Sequence, residues 1–376
     1  MTALGILLLL AALYVLQVVL YDRLWGKGLE VKTSFQEEYA TEDDTAALTE
    51  VVVNDKFLPL PVVEIDFHMG KGLRFTDEAN TAVSDYTYRR DVFALGPRQK
   101  ITRTLEFRCA RRGYYRIDQA GLDVRSLLLT KKYVGSTPQA TDFYVLPRLV
   151  STQRIQIPFS QIMGNLTSRK KVYDDPFAFA GLRGYVRGDP MKYINWKATA
   201  KTGQLLVNLH ESTLSQKVAV VLDLEGLGVQ QADLLNEEAV RIACTLCVRL
   251  LEAGIKVSAY SNGLDVHSGQ PMALPEVSGP GSVLALRKAF ACAQAANGLE
   301  PIEGFFPSGE GQRDENSLLC VLVTRDQRES LARAFAQRAG QREWLQIIPY
   351  RDEYEEMPQA PCAACIGKCR ERSWQG

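Results

Sequence analysis

The densest chemistry in this sequence lies between residues 179 and 200, which read FAGLRGYVRGDPMKYINWKATA. If Leu182 to Arg187 is extended, the two-residue period of a strand places Arg183, Tyr185 and Arg187 on one face and Leu182, Gly184 and Val186 on the other. That face is cationic and aromatic. Guanidinium forks pair with carboxylates or phosphates, so Arg183 and Arg187 read either as a surface for an anionic partner group or as ties to carboxylates of the same chain. Asp189 before Pro190 has the form of a helix start, because the Asp oxygen caps free amides and Pro at the first helical position loses no hydrogen bond. Met191, Ile194 and Ala198 would then share a helical face, with Trp196 also in the segment. Residues 151 to 215 carry nine Lys or Arg against four Asp or Glu, a local positive excess.

Other reactive residues are sparse. Cys362, Cys365 and Cys369 have ligand-like spacing, but zinc or an iron–sulfur cluster normally takes four ligands. A partner subunit, a second copy or the distant Cys320 would have to complete the set; the plain alternative is a tail with ordinary thiols. Cys244 and Cys247 spell Cys-x-x-Cys within an apolar helical pattern, which reads as core packing. None of the three histidines, His68, His210 and His267, lies beside a candidate nucleophile in sequence. There is no Gly-x-Ser-x-Gly, no phosphate-binding glycine loop and no His-Glu-x-x-His. No catalytic residue is assigned, and the expectation is a protein that is not an enzyme.

The elements that must position these residues fall into two regions. After an acidic stretch (Glu37, Glu38, Glu42, Asp43, Asp44), short runs at Leu48–Val53, Pro61–Phe67, Gln99–Cys109, Tyr114–Ile117 and Phe143–Leu146 predict strands of an antiparallel β-sandwich-like domain over residues 22–150. From Lys217 the pattern alternates strand and helix. Predicted strands are Val218–Leu222, Lys256–Ser261, Leu318–Val323 and Trp344–Ile348; predicted helices are Asp233–Glu252, Ser282–Ala295 and Gln327–Arg338. Asn262-Gly263 predicts a hairpin turn into Leu264–His267. The result is an α/β domain with a mostly parallel sheet at 216–350, joined to the first by a linking segment at 151–215 and followed by a Cys-containing tail at 351–376.

Thr2 to Tyr21 carries no charge and, at 1.5 Å per residue, spans about 30 Å, the thickness of a bilayer core. Residues 1–21 therefore read as one transmembrane helix. Asp22-Arg23 follows directly, without the small-residue cleavage site of a signal peptide. No Lys or Arg precedes the span, whereas Arg23, Lys27 and Lys32 follow it, which places the remaining chain on the cytoplasmic side of the cell membrane. The 376 residues hold 44 Lys or Arg and 44 Asp or Glu, so no global basic field recruits nucleic acid. At 46% hydrophobic and 23% charged, the chain is ordinary globular material.

The run Phe-x-x-Leu-Arg-x-Tyr-x-x-Gly-Asp from Phe179 to Asp189, followed by Ile194-Asn195-Trp196-Lys197-Ala198, resembles the signature of the domain of unknown function 58 family, whose members are associated with MoxR-type AAA+ ATPases. Arg112-Gly113-Tyr114 and Tyr144-Val145-Leu146-Pro147-Arg148 fit the same pattern. The resemblance implies that the α/β domain is von Willebrand factor type A-like. It also implies a membrane-anchored, non-catalytic adaptor or assembly factor that works with a MoxR-type ATPase in the maturation of proteins or complexes. Two features depart from the family: one membrane span where many members have two, and Ala178 where Glu often precedes the signature Phe. A type A domain binds a divalent ion, commonly Mg²⁺, through Asp-x-Ser-x-Ser; the matching positions here read Asp223-Leu224-Glu225-Gly226-Leu227, without either serine. Asp223, Glu225 and Asp326 are the candidate ligands of such a degenerate site, against a reading of Asp223 as an ordinary polar residue at a strand end. Two alternatives follow, a metal-dependent hydrolase at those three residues and an extracytoplasmic binding module.

Overall fold

The structure is a computed structural model. It describes residues 2–77, 81–83, 86–172, 179–187, 189, 191–210, 217–225, 232–295, 299–302, 318–324, 326, 329–339 and 344–349. The chain divides into two compact units, one ending at Arg148 and the other starting at Leu149. Among the described residues it is a mixed α and β protein rich in strands, with sheets of both orientations.

The amino-terminal unit opens with helix α1 (Thr2–Leu24), whose residues from Leu4 to Leu16 are exposed and almost wholly apolar. Ten strands follow: β1 (Leu29–Phe35), β2 (Tyr39–Thr41), β3 (Thr45–Asn54), β4 (Leu60–Gly70), β5 (Leu73–Phe75), β6 (Thr81–Val83), β7 (Tyr86–Leu95), β8 (Gln99–Cys109), β9 (Gly113–Arg125) and β10 (Lys132–Leu146). They form one sheet in the order β1-β3-β8-β5 and another in the order β2-β10-β9-β4-β7-β6. Every second residue of β3 is buried from Ala46 to Asn54, the period of a strand with one face on a core. Leu48 and Phe107 of the first sheet share an apolar cluster with Phe67, Tyr115 and Phe143 of the second, so the two sheets enclose a common interior. The Arg112-Gly113-Tyr114 element holds one end of it. The Tyr115 hydroxyl donates back to the Arg111 carbonyl at 2.7 Å, and a β-carbon on Gly72 would stand 1.8 Å from that hydroxyl oxygen. Glu42 is buried, and its carboxylate accepts from the backbone N–H groups of Arg112 and Arg148.

This interior is not apolar throughout. Thr33, Glu50 and Arg103 are cross-strand partners in one row over β1, β3 and β8. Glu50 lies between Leu48 of one apolar cluster and Val52 of another. From β7, Arg89 and Asp91 alternate with Phe93 on its buried positions. Arg89 grips Asp91 with Nε at 2.7 Å and Nη2 at 3.2 Å, and Arg103 donates to Asp91 at 2.8 Å. As a carboxylate Glu50 accepts from no donor, whereas its protonated form can donate to the neighbouring Asp91. Burial, and next the charge of Asp91, push its carboxyl up to about 7 against the opposing pull of Arg89 and Arg103.

The carboxy-terminal unit begins with α2 (Thr152–Val172), in what the sequence pattern presents as a linking segment. Its buried residues Ile155, Ile162 and Leu166 join the main core of this unit. Pro158 inside the helix obscures the pattern, because proline removes a helical donor. Strands β11 (Phe179–Gly184) and β12 (Leu206–His210) pair antiparallel and flank α3 (Trp196–Thr202). Then come β13 (Lys217–Leu222), α4 (Ala232–Glu252), β14 (Lys256–Asp265), β15 (Pro271–Val277), α5 (Val283–Cys292), β16 (Ala293–Gln294), β17 (Leu318–Val323), α6 (Glu329–Ala339) and β18 (Trp344–Ile347). Strands β14, β13, β17 and β18 lie side by side and parallel, with β15 and β16 antiparallel on β14. Strand β13 is buried from Val218 to Leu222, as a parallel strand covered on both faces must be.

Two expectations for this unit fail. Asn262-Gly263 makes no turn: β14 runs through it to Asp265, and the chain reverses at Val266–Gln270, with Gly269 at φ +65°. The predicted helix over Ser282–Ala295 stops at Cys292, because Ala293 and Gln294 pair with Asp265 and Leu264 as β16.

Candidate partner-docking site

The signature segment folds into a small module of β11, a tight turn, a 3-10 turn at Met191–Tyr193, α3 and β12. Strand β11 ends at Gly184, so Arg187 lies in the turn and does not share a strand face with Arg183. Asp189 is not a helix cap. Its carboxylate accepts a fork from Arg183, Nη1 at 2.6 Å and Nη2 at 2.7 Å, and also accepts from the Val186 N–H at 2.9 Å. The Asp189 N–H returns a bond to the Val186 carbonyl, which closes the turn. These donors, Arg183 foremost, hold the Asp189 carboxyl down at about 2.

The helix start belongs to Asn195, whose Oδ1 accepts from the Ala198 N–H at 2.9 Å while its Nδ2 donates to Asn208 Oδ1 of β12 at 2.8 Å. Ile194 is buried and bridges to Val207, so Met191, Ile194 and Ala198 do not form one helical stripe. Gly203, at φ +72°, ends α3 in the left-handed conformation that glycine adopts without strain.

With its polar groups so engaged, the module leaves its large apolar side chains outside. Val186 is 63% exposed, Met191 67% and Trp196 62%, and Leu182 and Leu205 are also exposed. Arg187, Lys192 and Lys197 are exposed among them, with Lys192 Nζ 4.9 Å from the centre of the Tyr193 ring. Tyr185 is half-buried, its N–H bonded to the Leu205 carbonyl. Val186, Met191 and Leu205 escape a reading that looks for charge and aromaticity; the signal that finds them is exposure in the folded module.

The other candidate residues stand at the carboxyl ends of the parallel strands. Asp223 follows β13 and is buried; its Oδ1 accepts from Asn262 Nδ2 at 2.9 Å and from the Glu225 N–H at 3.0 Å, and its Oδ2 accepts from the Thr324 hydroxyl at 2.7 Å. Asn262 also accepts from the Leu224 N–H, and a β-carbon on Gly263 would stand 2.5 Å from the Leu224 side chain. The Asn-Gly pair therefore serves this cluster. Asp326 is buried too, its N–H donating to Thr324 Oγ1 and its carbonyl accepting from Gln346. Three of the roughly four acceptor positions of the Asp223 carboxylate are thus taken by protein donors, two on Oδ1 and one on Oδ2. Among the described residues, no group of three or more His, Cys, Asp or Glu is placed to hold a metal ion.

Cys362, Cys365 and Cys369 lie outside the described residues. Cys109, Cys244, Cys247, Cys292 and Cys320 are buried. Burial pushes Cys109 up to about 12 and raises Cys247 as well, so these thiols stay protonated. Cys320 is a buried side chain of β17 in the apolar cluster that includes Phe335 and Leu322.

No protein-family model matches this chain, and no curated protein matches it. Among solved structures it is similar to the CARDB domain of a Pyrococcus furiosus protein crystallised with two metal ions, at 15% identity over 31% of this chain and 90% of that one, with a TM-score of 0.21. It is similar to the major pilin SpaD of Corynebacterium diphtheriae at 11% identity over 29% of this chain and 34% of that one, TM-score 0.21. It is also similar to a chain of a type I cohesin–dockerin complex of Clostridium thermocellum, at 9% identity over 31% of this chain and 99% of that one, TM-score 0.22.

Proposed function

We propose that this chain is a membrane-anchored, non-catalytic adaptor of the domain of unknown function 58 type, which docks onto a MoxR-type AAA+ ATPase through the module at residues 179–210. In this reading α1 crosses the cell membrane, Arg23, Lys27 and Lys32 hold the folded units on its cytoplasmic side, and the parallel-sheet unit is a type A-like domain that has given up its metal. The observation that carries the docking assignment is the exposure of Trp196, Met191 and Val186 on a module whose turn and helix start are fixed by hydrogen bonds. A rigid patch of aromatic and apolar side chains rimmed by cations is the composition of an interface centre, and leaving it in water is unfavourable. Arg183 and Asp189 position the patch, while Trp196, Met191 and Arg187 contact the partner.

The test is an affinity capture of the full-length chain from detergent-solubilised native membranes, with bound proteins identified by mass spectrometry. We expect a MoxR-type ATPase to be recovered, and Trp196→Ala with Met191→Ala to reduce its recovery at least about tenfold, as loss of a central aromatic anchor does. Recovery unchanged by the double substitution would remove the module from the interface. Recovery of no ATPase under conditions that preserve other membrane complexes would overturn the adaptor reading.

A further inference from the structure

Helix α1 does not leave the amino-terminal unit on a free linker; its last turn is part of the fold. Tyr21 is 1% exposed, donates to the Pro59 carbonyl at 2.5 Å and stacks on Tyr133. Trp25 also stacks on Tyr133 and covers Gly135, where a β-carbon would stand 2.8 Å from its ring. Asp22 accepts from Lys131 at 2.5 Å and from the Tyr133 hydroxyl at 2.8 Å. Lys56 donates to the carbonyls of Trp25 and Lys27, satisfying acceptors that a helix end leaves open. The helix end is thus clasped by two loops, one between β3 and β4 and the other between β9 and β10.

Both loops carry bare apolar tips. Leu127, Leu128 and Leu129, the tip between β9 and β10, are 49%, 58% and 52% exposed, and Phe57 on the other loop is 74% exposed with the Arg98 guanidinium 4.5 Å over its ring. Strand β10 meets Trp25 at Gly135 and both Tyr21 and Trp25 at Tyr133, and Lys131 ahead of it meets Asp22, so its hairpin end is tied to the last turn of α1. The leucine tip ends two residues before Lys131. The tip is also rigid. The Leu129 N–H bonds the Ser126 carbonyl at 2.8 Å, the Ser126 N–H bonds the Lys131 carbonyl at 3.0 Å, and the Lys131 N–H bonds Ser126 Oγ at 3.1 Å. Such internal pairing is what backbone needs before it can enter hydrocarbon. Leu129 holds φ +58°, where glycine or asparagine is the ordinary choice.

Around these tips cations outnumber carboxylates. Residues 22–27, 55–59, 97–99 and 125–132 hold seven Lys or Arg (Arg23, Lys27, Lys56, Arg98, Arg125, Lys131, Lys132) and two Asp (Asp22, Asp55), and of the seven Arg125, Lys131 and Lys132 pair with Glu64, Asp22 and Asp123. Apolar tips ringed by cations, beside a helix long and apolar enough to cross a bilayer, match the order of hydrocarbon and headgroup in a lipid surface.

We propose that Leu127, Leu128 and Leu129, together with Phe57, form a second membrane contact that seats the amino-terminal unit on the lipid surface around its own anchor. The proposal rests on the reading of α1 as a membrane anchor. It holds for either side of the bilayer, because helix end and tips belong to one fold.

The test uses the full-length chain reconstituted into phosphatidylcholine and phosphatidylglycerol vesicles whose lipids carry bromine on the acyl chains. Leu128→Trp and Leu127→Trp are each compared with Glu106→Trp, seven residues from Gln99 along β8, the emission of the parent's four tryptophans being subtracted. Each variant is first checked for the parent's circular dichroism. The expected result is flotation with the vesicles after an alkaline wash, with the emission added by Leu127→Trp or Leu128→Trp quenched at least about twofold more than that added by Glu106→Trp. Flotation with no such difference leaves the anchor standing and overturns the second contact. Failure of the parent chain to float overturns the anchor reading and this proposal with it.

Discussion

In the amino-terminal unit, Glu50 and Asp91 face two guanidinium groups between the apolar clusters of the sandwich. In the carboxy-terminal unit, Asp223 sits among neutral donors, Asn262, Thr324 and a backbone N–H, at the ends of parallel strands. Each is a buried carboxylate, but the balance of desolvation against compensation differs. Taking an ion pair out of water costs several kcal/mol per ion, repaid only when the geometry is good and the remaining polar atoms find partners. Asp91 meets that condition with three charge-assisted bonds, whereas Glu50, one row away, has none. Asp223 needs no counter-ion because the oxygens of one carboxylate accept from three donors, and its cluster locks the ends of β13, β14 and β17 together. The sandwich therefore holds a charged layer that is only partly compensated, while Asp223 at the sheet end of the other unit is held by neutral donors.

The largest effect that could break this comparison is expected at Asp91. Asp91→Ala leaves Arg89, buried and committed to this site, without its carboxylate, and should destabilise the amino-terminal unit by about 3–5 kcal/mol. Chemical denaturation of the full-length chain in detergent, followed by hydrogen exchange resolved by segment, reads this out. Protection lost across β3, β7 and β8 with α4 and β13 unaffected is the expected pattern; a loss below about 1 kcal/mol would mean that water already solvates the layer.

At the other cluster, Asp223→Ala removes the acceptor of three donors, at a cost of about 3 kcal/mol, since each orphaned buried group forfeits part of its hydration. Asp223→Asn should recover part of this through its amide oxygen. The same hydrogen-exchange experiment should now show loss at β13, β14 and β17. If Asp223 were instead held for a metal, adding Mg²⁺ would stabilise the wild type and not the Asp223→Asn chain; with three of its roughly four acceptor positions taken by protein donors, the expected result is no stabilisation in either.

The legibility of these features in the sequence follows from how local their causes are. Strands β8 and β17 read to the residue, and α4 within one residue at its start, because alternation or an unbroken apolar run is written within each segment. Helix α2 hides behind Pro158 and a polar composition, its burial showing only in the spacing of Ile155, Ile162 and Leu166 once a core exists to receive them. Asn262-Gly263 carries the local signature of a turn, yet Asn262 is wanted by Asp223 and Gly263 by the Leu224 side chain, both distant in sequence. The Asp189-Pro190 pair misleads in the same way, since the forked bond to Arg183 outcompetes the cap. Of the module at residues 179–210, the residues Arg183, Tyr185, Arg187, Asp189 and Trp196 are visible as types, but which of them tie the turn and which face outward is a matter of tertiary geometry. The charged layer was within reach: a Glu at an inward position between Leu48 and Val52 of an alternating strand is a buried carboxylate by period alone.

That Glu50 gives the pH test of the comparison. Its folded-state pKa of about 7 lies above the ordinary value of 4.5 that the unfolded chain shows, so between those two pH values the folded state binds the extra proton. Stability from this group is therefore complete below about pH 4.5, falls as the pH rises toward 7, and is level above it, the reverse of an ordinary salt-bridged carboxylate. The groups that face it set the window: Asp91 from β7 opposes ionisation, and Arg89 from β7 and Arg103 from β8 favour it. Glu50→Gln copies the protonated form and cannot ionise. It should match the wild type near pH 4.5 and exceed it by about 3 kcal/mol at pH 8, flattening the slope between. A wild-type slope of the opposite sign over pH 4.5 to 7, lost in the Glu50→Gln chain, would show that Arg89 and Arg103 compensate Glu50 as fully as Asp91, and that the layer is a closed ionic network.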